Sequence, residues 1–292
     1  MEQTFIVHPM SQRFTLKPGE TYRGTITVVN PVDATQDFKY TTEVTPYGVI
    51  GEDYSADLRT ETGRTQIKDW IKIEEPTGTI KPNESKKIHF TITVPSDAEP
   101  GGQYATIAVS ASLENTENQG FGVDSILELA SIVYGYVDGK IVHKGDILEN
   151  YIPGFSATTP VEVTSLLKNE GNVHEDATYS LSVVNAITGE VIFPTGDEKG
   201  TYTELIMPES TRHVVRSISN LPYVGVVKIS QSIYYNGHYS AEENNLIICP
   251  IWLLFLIFLV ISTIITLICA KIRSIFKKKK TKKKAQAENG AQ

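Results

Sequence analysis

Six histidines stand at positions 8, 89, 143, 174, 213 and 238, one at a time along the 292 residues. A transition-metal site needs His or Cys ligands at short, paired spacings, and a hydrolytic zinc site needs a run such as His-Glu-x-x-His. The sequence offers neither. It also lacks the Gly-x-Ser-x-Gly turn that exposes a nucleophilic serine and the glycine loop that cradles phosphate. No catalytic residue, cofactor or metal ligand is therefore expected. His174-Glu175-Asp176 and Glu52-Asp53 are the acidic clusters worth weighing. Each reads either as a solvated turn or as a loose calcium contact. A glycosidase needs two carboxyls about 5 Å or about 6.5–9.5 Å apart across a cleft, and no spacing here pairs two acids in that way. The alternative reading, an envelope carbohydrate-active enzyme or an accessory subunit of one, rests only on the abundance of acids. Non-covalent recognition is the better-supported chemistry. The long polar stretch from Tyr47 to Asp69 carries Tyr47, Asp53 and Tyr54. Tyrosine buries well and keeps a polar handle, and neighbouring glycines let a loop adapt to a surface. These three residues are the expected partner-binding set; the other reading of the stretch is mobile filler.

The elements around that loop are strands. Lys86 to Val94 alternates Ile88, Phe90, Ile92 and Val94 with Lys87, His89, Thr91 and Thr93, the period of a half-buried strand. Thr21 to Asn30 and Phe38 to Thr45 alternate likewise. Gln103 to Leu113 and Ser125 to Val137 are apolar on both faces, as central strands can be. Trp70 beside Ile71 and Ile73 reads as a core or sandwich-edge aromatic, or else as an exposed sugar-stacking ring. Lys144 to Pro160 reads as a connection. Val161 to Leu167, Ala177 to Asn185, Glu190 to Phe193, Arg212 to Ile218 and Val224 to Tyr235 then form a second set. Asn236-Gly237 is a type I′ hairpin signal, and Ser240 to Asn245 reads as a short spacer between that hairpin and the apolar run that follows. The expected fold is all-β: two tandem immunoglobulin-like β-sandwiches, residues 1–140 and 141–245.

Leu246 to Ala270 holds no charge and spans roughly 37 Å as a helix, enough for a bilayer core of about 30 Å. It is the expected transmembrane helix and the chain's contact with lipid. The last 22 residues carry nine Lys and Arg against Glu288. This tail, residues 271–292, is expected to be disordered and cytoplasmic, with the preceding 245 residues outside. The outer part then has 18 Lys and Arg against 33 Asp and Glu, so the overall charge of −7 hides two opposite populations. A lysine run beside a span suits anionic lipid and argues against a nucleic-acid partner. A receptor signalling through so short a tail ranks last. Cys249 and Cys269, the two cysteines, fall at opposite ends of the span, so the outer domains are expected to stand without disulfides. Met1 to Met10 has neither a basic start nor an apolar stretch, so a removed signal peptide is expected, the other reading being a gene start set too late.

Trp70-Ile71, Gly78-Thr79-Ile80-Lys81-Pro82-Asn83-Glu84-Ser85, Phe90-Thr91-Ile92-Thr93-Val94-Pro95 and Glu99-Pro100-Gly101-Gly102-Gln103-Tyr104 follow one another in that order. The order resembles the first domain of the WxL-interacting proteins of Gram-positive bacteria, with Asn83 where that family often has Gly. The resemblance implies a surface protein with two immunoglobulin-like domains, one C-terminal span and a lysine-rich tail. It further implies peptidoglycan binding by the first domain, and binding of host ligands or WxL-type surface proteins by the second.

Overall fold

The computed structural model describes residues 5–113, 127–192 and 201–288. The first unit contains β1 (Ile6–His8), β2 (Ser11–Leu16), β3 (Thr21–Val29), β4 (Phe38–Pro46), β5 (Gly48–Ile50), β6 (Ser55–Asp57), a single helical turn α1 (Ile67–Trp70), β7 (Ile71–Ile73), β8 (Thr77–Ile80), β9 (Ser85–Thr93), β10 (Gly101–Leu113) and β11 (Leu127–Val137). They form two main sheets, β1-β3-β9-β7 and β2-β11-β10-β4-β8. The N-terminal strand is shared between them, because β1 pairs antiparallel with β3 and β2 then crosses to run parallel with β11. Alternation explains the core. Ile26 and Val28 of β3 and Ile88, Phe90 and Ile92 of β9 face Ile107 and Val109 of β10 and Val133 of β11 in one buried cluster. Trp70 packs half-buried against that cluster. Pro82-Asn83 makes the turn into β9 with Asn83 at φ 62°, a left-handed position that Gly or Asn fills most readily.

The second unit contains β12 (Gly145–Tyr151), β13 (Phe155–Ser156), β14 (Val161–Asn169), β15 (Glu175–Asn185), β16 (Val191–Ile192), β17 (Thr201–Ile206), β18 (Ser210–Ile218), β19 (Gly225–Tyr235) and β20 (His238–Ile248). The sheet β12-β14-β18 packs on β13-β20-β19-β15-β16, with β17 also paired to β15. Asn236 and Gly237 both have positive φ between β19 and β20, as a type I′ turn requires. Both units are immunoglobulin-like sandwiches, and among the described residues up to Ile248 the one helical element is the single turn α1. The expected starts and ends at Ser125 and Phe193 lie outside the described residues.

Four expectations need correction. Lys144 to Pro160 is not a plain connection, for it contains β12 and β13; its apolar residues are too scattered to show alternation. Ser240 to Asn245 is not a spacer. It is the middle of β20, in register with β19 from Tyr235↔His238 to Gly225↔Ile248. The apolar helix expected from Leu246 does not begin there, because Leu246 and Ile248 are buried strand residues of the second core. Cys249 is also buried and precedes the helix. A doubly buried strand and a lipid-facing helix have the same hydropathy, so the run alone cannot divide them. Pro250 does divide them, since the residue before proline avoids the helical region; its carbonyl accepts the first helical bonds from Leu253 and Leu254. Finally, the tail is not disordered throughout. Helix α2 runs Ile251–Glu288, through lysines and alanines that favour helix and meet no Gly or Pro before Gly290. Within it, Ile251–Arg273 is long and apolar enough to cross a membrane.

Candidate functional site

The Tyr47 to Asp69 stretch folds as a short hairpin, β5 with β6, followed by a loop into α1. It lies against the second sandwich. The Tyr54 hydroxyl accepts the Met207 N–H at 2.9 Å and pairs with the Ser210 hydroxyl. The Arg212 guanidinium stands 4.6 Å over the Tyr54 ring, and the Glu52 carbonyl accepts the His213 N–H at 2.7 Å. Tyr54 holds this place at φ 59°, a conformation a bulky side chain takes only when its surroundings impose it. Burial pushes its phenol pKa up. Tyr47 is half-buried and meets the Tyr134 ring edge-on at 6.1 Å. Asp53 is exposed and accepts the Ser55 hydroxyl at 2.9 Å. The three expected binding residues are therefore not a free set. Tyr54 is committed to an intramolecular joint, and loss of its ring would be felt in stability. Tyr54→Phe would leave the Met207 N–H without its acceptor, so we expect a loss of about 1–3 kcal/mol in thermal or denaturant unfolding.

The joint continues through residues that sequence reading placed elsewhere. Tyr104 is 1% exposed although its side chain lies on the face of β10 away from the first core. Tyr104, Tyr134 and Met207 form a separate buried cluster, with Tyr47, Tyr54 and Leu205 packed on it. The Tyr104 hydroxyl accepts the His174 backbone N–H at 3.0 Å and lies 3.1 Å from His174 Nδ1. Its own proton is left to donate to Nδ1. Burial keeps both Tyr104 and Tyr134 protonated far above neutrality.

Asn172 is the second fixing point. Its carbonyl accepts the Gly102 N–H at 2.7 Å. Its side-chain amide donates to the carbonyls of Pro100 (3.2 Å) and Lys140 (3.0 Å), and its Oδ1 accepts the Val142 N–H at 2.8 Å. One side chain thus ties the first domain, the linker and the second domain together. Pro100-Gly101-Gly102 and the Asn169-Glu170-Gly171-Asn172 turn look like two unrelated reversals in sequence; folded, they are the two halves of one contact. Arg64 adds a pair with Glu209 at 3.2 Å. His174, Glu175 and Asp176 part company: His174 enters the joint, Glu175 pairs with His143, and Asp176 lies 3.7 Å from Arg13. That dispersal removes the basis for reading the three as one cation site.

His174 gives the joint a pH dependence. Burial, and then the nearby Arg13 charge, hold its pKa below the ordinary value near 6.5, with Asp176 and Glu175 only partly opposing them. The unfolded chain therefore takes up the proton first. Stability is fully present above that ordinary value and falls as the pH drops from there through the folded-state pKa. Melting temperature measured from pH 8 to pH 5 should decline over that window, and His174→Gln should flatten the part due to this residue.

Beside the joint lies a shallow groove of about 280 Å³ lined by Arg13, Phe14, Thr15, Tyr134, Tyr136 and His174. One wall is β2, the edge strand of its sheet. Arg13 and Thr15 point outward from it, whereas Phe14 packs edge-on against Phe90 of the core. Edge strands present unpaired backbone groups that a further strand can complete.

No family model matches the sequence, and no curated protein matches it. Among solved structures the chain is similar to the class 5 fimbrial chaperone CfaA, at 11% identity and a TM-score of 0.39, over 82% of this chain and 99% of that one. It is similar to the Salmonella enterica SafA pilin in complex with the SafB chaperone, at 11% identity and a TM-score of 0.40, over 84% and 96%. The CsuC–CsuE chaperone–tip adhesion subunit complex of Acinetobacter baumannii matches at 13% identity and a TM-score of 0.39, over 82% and 98%.

Proposed function

We propose that the chain is a membrane-anchored, non-enzymatic binding protein of a bacterial cell surface, of the WxL-interacting kind, whose partners are peptidoglycan and/or WxL-type surface proteins. The observation that carries this reading is the junction at Ile248. Strand β20 ends there, and α2 begins at Ile251. Two residues, reaching about 7 Å at most, separate a buried sheet from an apolar helix with a basic far end. The positive-inside rule then puts the lysines in the cytoplasm and both sandwiches outside. The interdomain joint holds the first sandwich away from the membrane, which suits presentation to wall or to a surface protein. The order of motif residues from Trp70 to Tyr104 supports the family, and the edge strand β2 with its groove is the contact the geometry favours.

The test is capture. Full-length protein in detergent micelles should retain isolated cell wall or a purified WxL domain. Thr15→Lys changes an outward side chain of β2 that lines the groove and takes no part in the joint. It should weaken capture about tenfold or more, roughly 1.4 kcal/mol, at an unchanged melting temperature. Unchanged capture would remove β2 as the contact. Absence of any capture by the wild type at low salt would remove the binding function, and release of reducing sugar from wall would replace it with an enzymatic one.

A further inference from the structure

The second sandwich has two unlike ends. The connections at the joint end hold Asp138, Lys140, Lys144, Glu170 and Glu209. At the opposite end lie residues 157–160, 186–190, 219–224 and 249–250, as the strand registers require: Phe155 pairs with Ile247, Val161 with Ile218, Gly225 with Ile248 and Asn185 with Val227. Those four connections carry one charged residue, Glu190, in a chain that is 21% charged. The same end exposes large apolar side chains: Ile187 at 79%, Tyr223 at 66%, and Phe155, Val224 and Ile247 at about half. Trp252 in the first turn of α2 donates its indole N–H to the Tyr223 hydroxyl at 3.2 Å, which ties the β18–β19 loop to the start of the helix.

An exposed apolar surface of this kind marks a contact. Its position selects the occupant. The helix that is apolar enough to enter a bilayer starts two residues beyond the sheet, so any bilayer around it meets this end of the domain. Neighbouring strands stand about 4.8 Å apart, which places the Ile187 turn, on the second strand from β20, roughly 10 Å to the side of the helix. Tyrosine and tryptophan settle at the headgroup boundary, and apolar side chains such as these enter the outer acyl region. We propose that the base of the second sandwich is itself a lipid-contacting surface: Phe155, Ile187, Tyr223, Val224 and Ile247 insert beside Trp252 and hold the outer domains at one tilt. The proposal rests on the membrane-span reading above. A base seated at several points around the helix cannot swivel as a domain on a single tether would.

The test uses full-length protein in phosphatidylcholine vesicles, with Cys249 and Cys269 replaced by Ala. An environment-sensitive fluorophore is placed in turn at Ile187→Cys, at Ile261→Cys within α2, and at Asp33→Cys in the first domain. Quencher is carried on brominated acyl chains. Ile187 and Asp33 are exposed turn positions, so folding is preserved. The expected result is a loss of fluorescence at 187 approaching that at 261, with none at 33. Quenching at 261 with 187 as unaffected as 33 would overturn the lipid contact and leave the span intact. A blue shift at 187 without quenching would assign the surface to a second copy of the chain and equally overturn it. No quenching at 261 would remove the span, and the proposal with it.

Discussion

Tyr104→Ala is expected to cost about 3–5 kcal/mol, the range for deleting a fully buried aromatic ring, and to split one unfolding transition into two. The ring fills the space between Tyr134, His174 and Met207, none of which can follow it without moving a strand or turn. Its hydroxyl also leaves the His174 N–H unpartnered when it goes. The cost falls on the joint, because Tyr104 lies outside the core cluster of the first sandwich and each sandwich keeps its own. Calorimetry of the wild type should show one cooperative transition; the variant should show two, the lower belonging to whichever sandwich gained most from the contact. Tyr104→Phe keeps the ring and loses only hydrogen bonds, so it should cost about 1–3 kcal/mol and leave the transition single. Equal effects from the two variants would mean that the ring contributes no packing.

Gly101→Ala should be comparably severe for a methyl group. Gly101 has φ of +121°, where an L side chain is strained by about 1–3 kcal/mol. The added Cβ would also lie 2.5 Å from the Asn172 carbonyl oxygen and 2.9 Å from Arg64 Nη1. The arginine can swing away, but the carbonyl is backbone and is the acceptor for the Gly102 N–H. The substitution must therefore push the two domains apart at this point. Combining it with Asn172→Ala should cost much less than the sum of the two singles, because both break the same contact. Simple additivity would show that Gly101 matters only for its own turn.

The strands with clean alternation are legible in the sequence itself. Lys86 to Val94 and Thr21 to Asn30 are strands as their alternation requires, with Ile88 and Ile26 opposite one another on the buried side, because period-two burial fixes the face each side chain takes; which strand neighbours which is not in that pattern. The hairpin at Asn236-Gly237 was legible for the same local reason. What alternation could not supply was the far boundary of the second sandwich, since Leu246 to Ile248 is as apolar as the helix that follows. Nor could it give the joint. Tyr104 and Tyr134 stand opposite one another on the outer face of β10 and β11, in strands that are apolar on both sides. That double-sided character was the available sign that something covers the outer face. The cover comes from Tyr47, Tyr54 and His174, the last 70 residues from Tyr104, and no local pattern carries a contact at that separation. Tyr47 and Tyr54 combine burial with a polar handle, as tyrosine can, and the surface they pack on here belongs to the same chain.

Tyr54, Tyr104 and Asn172 fix the two sandwiches to one another, so the two should move as one body, and an interdomain distance measurement tests this most directly. Full-length protein in a bilayer, with Cys249 and Cys269 replaced by Ala, carries spin labels at Asp33→Cys in the first domain and Thr188→Cys in the second. Double electron–electron resonance should give a single narrow distance distribution, which broadens in Tyr104→Ala. A broad or two-peaked distribution in the otherwise wild-type protein would contradict the account.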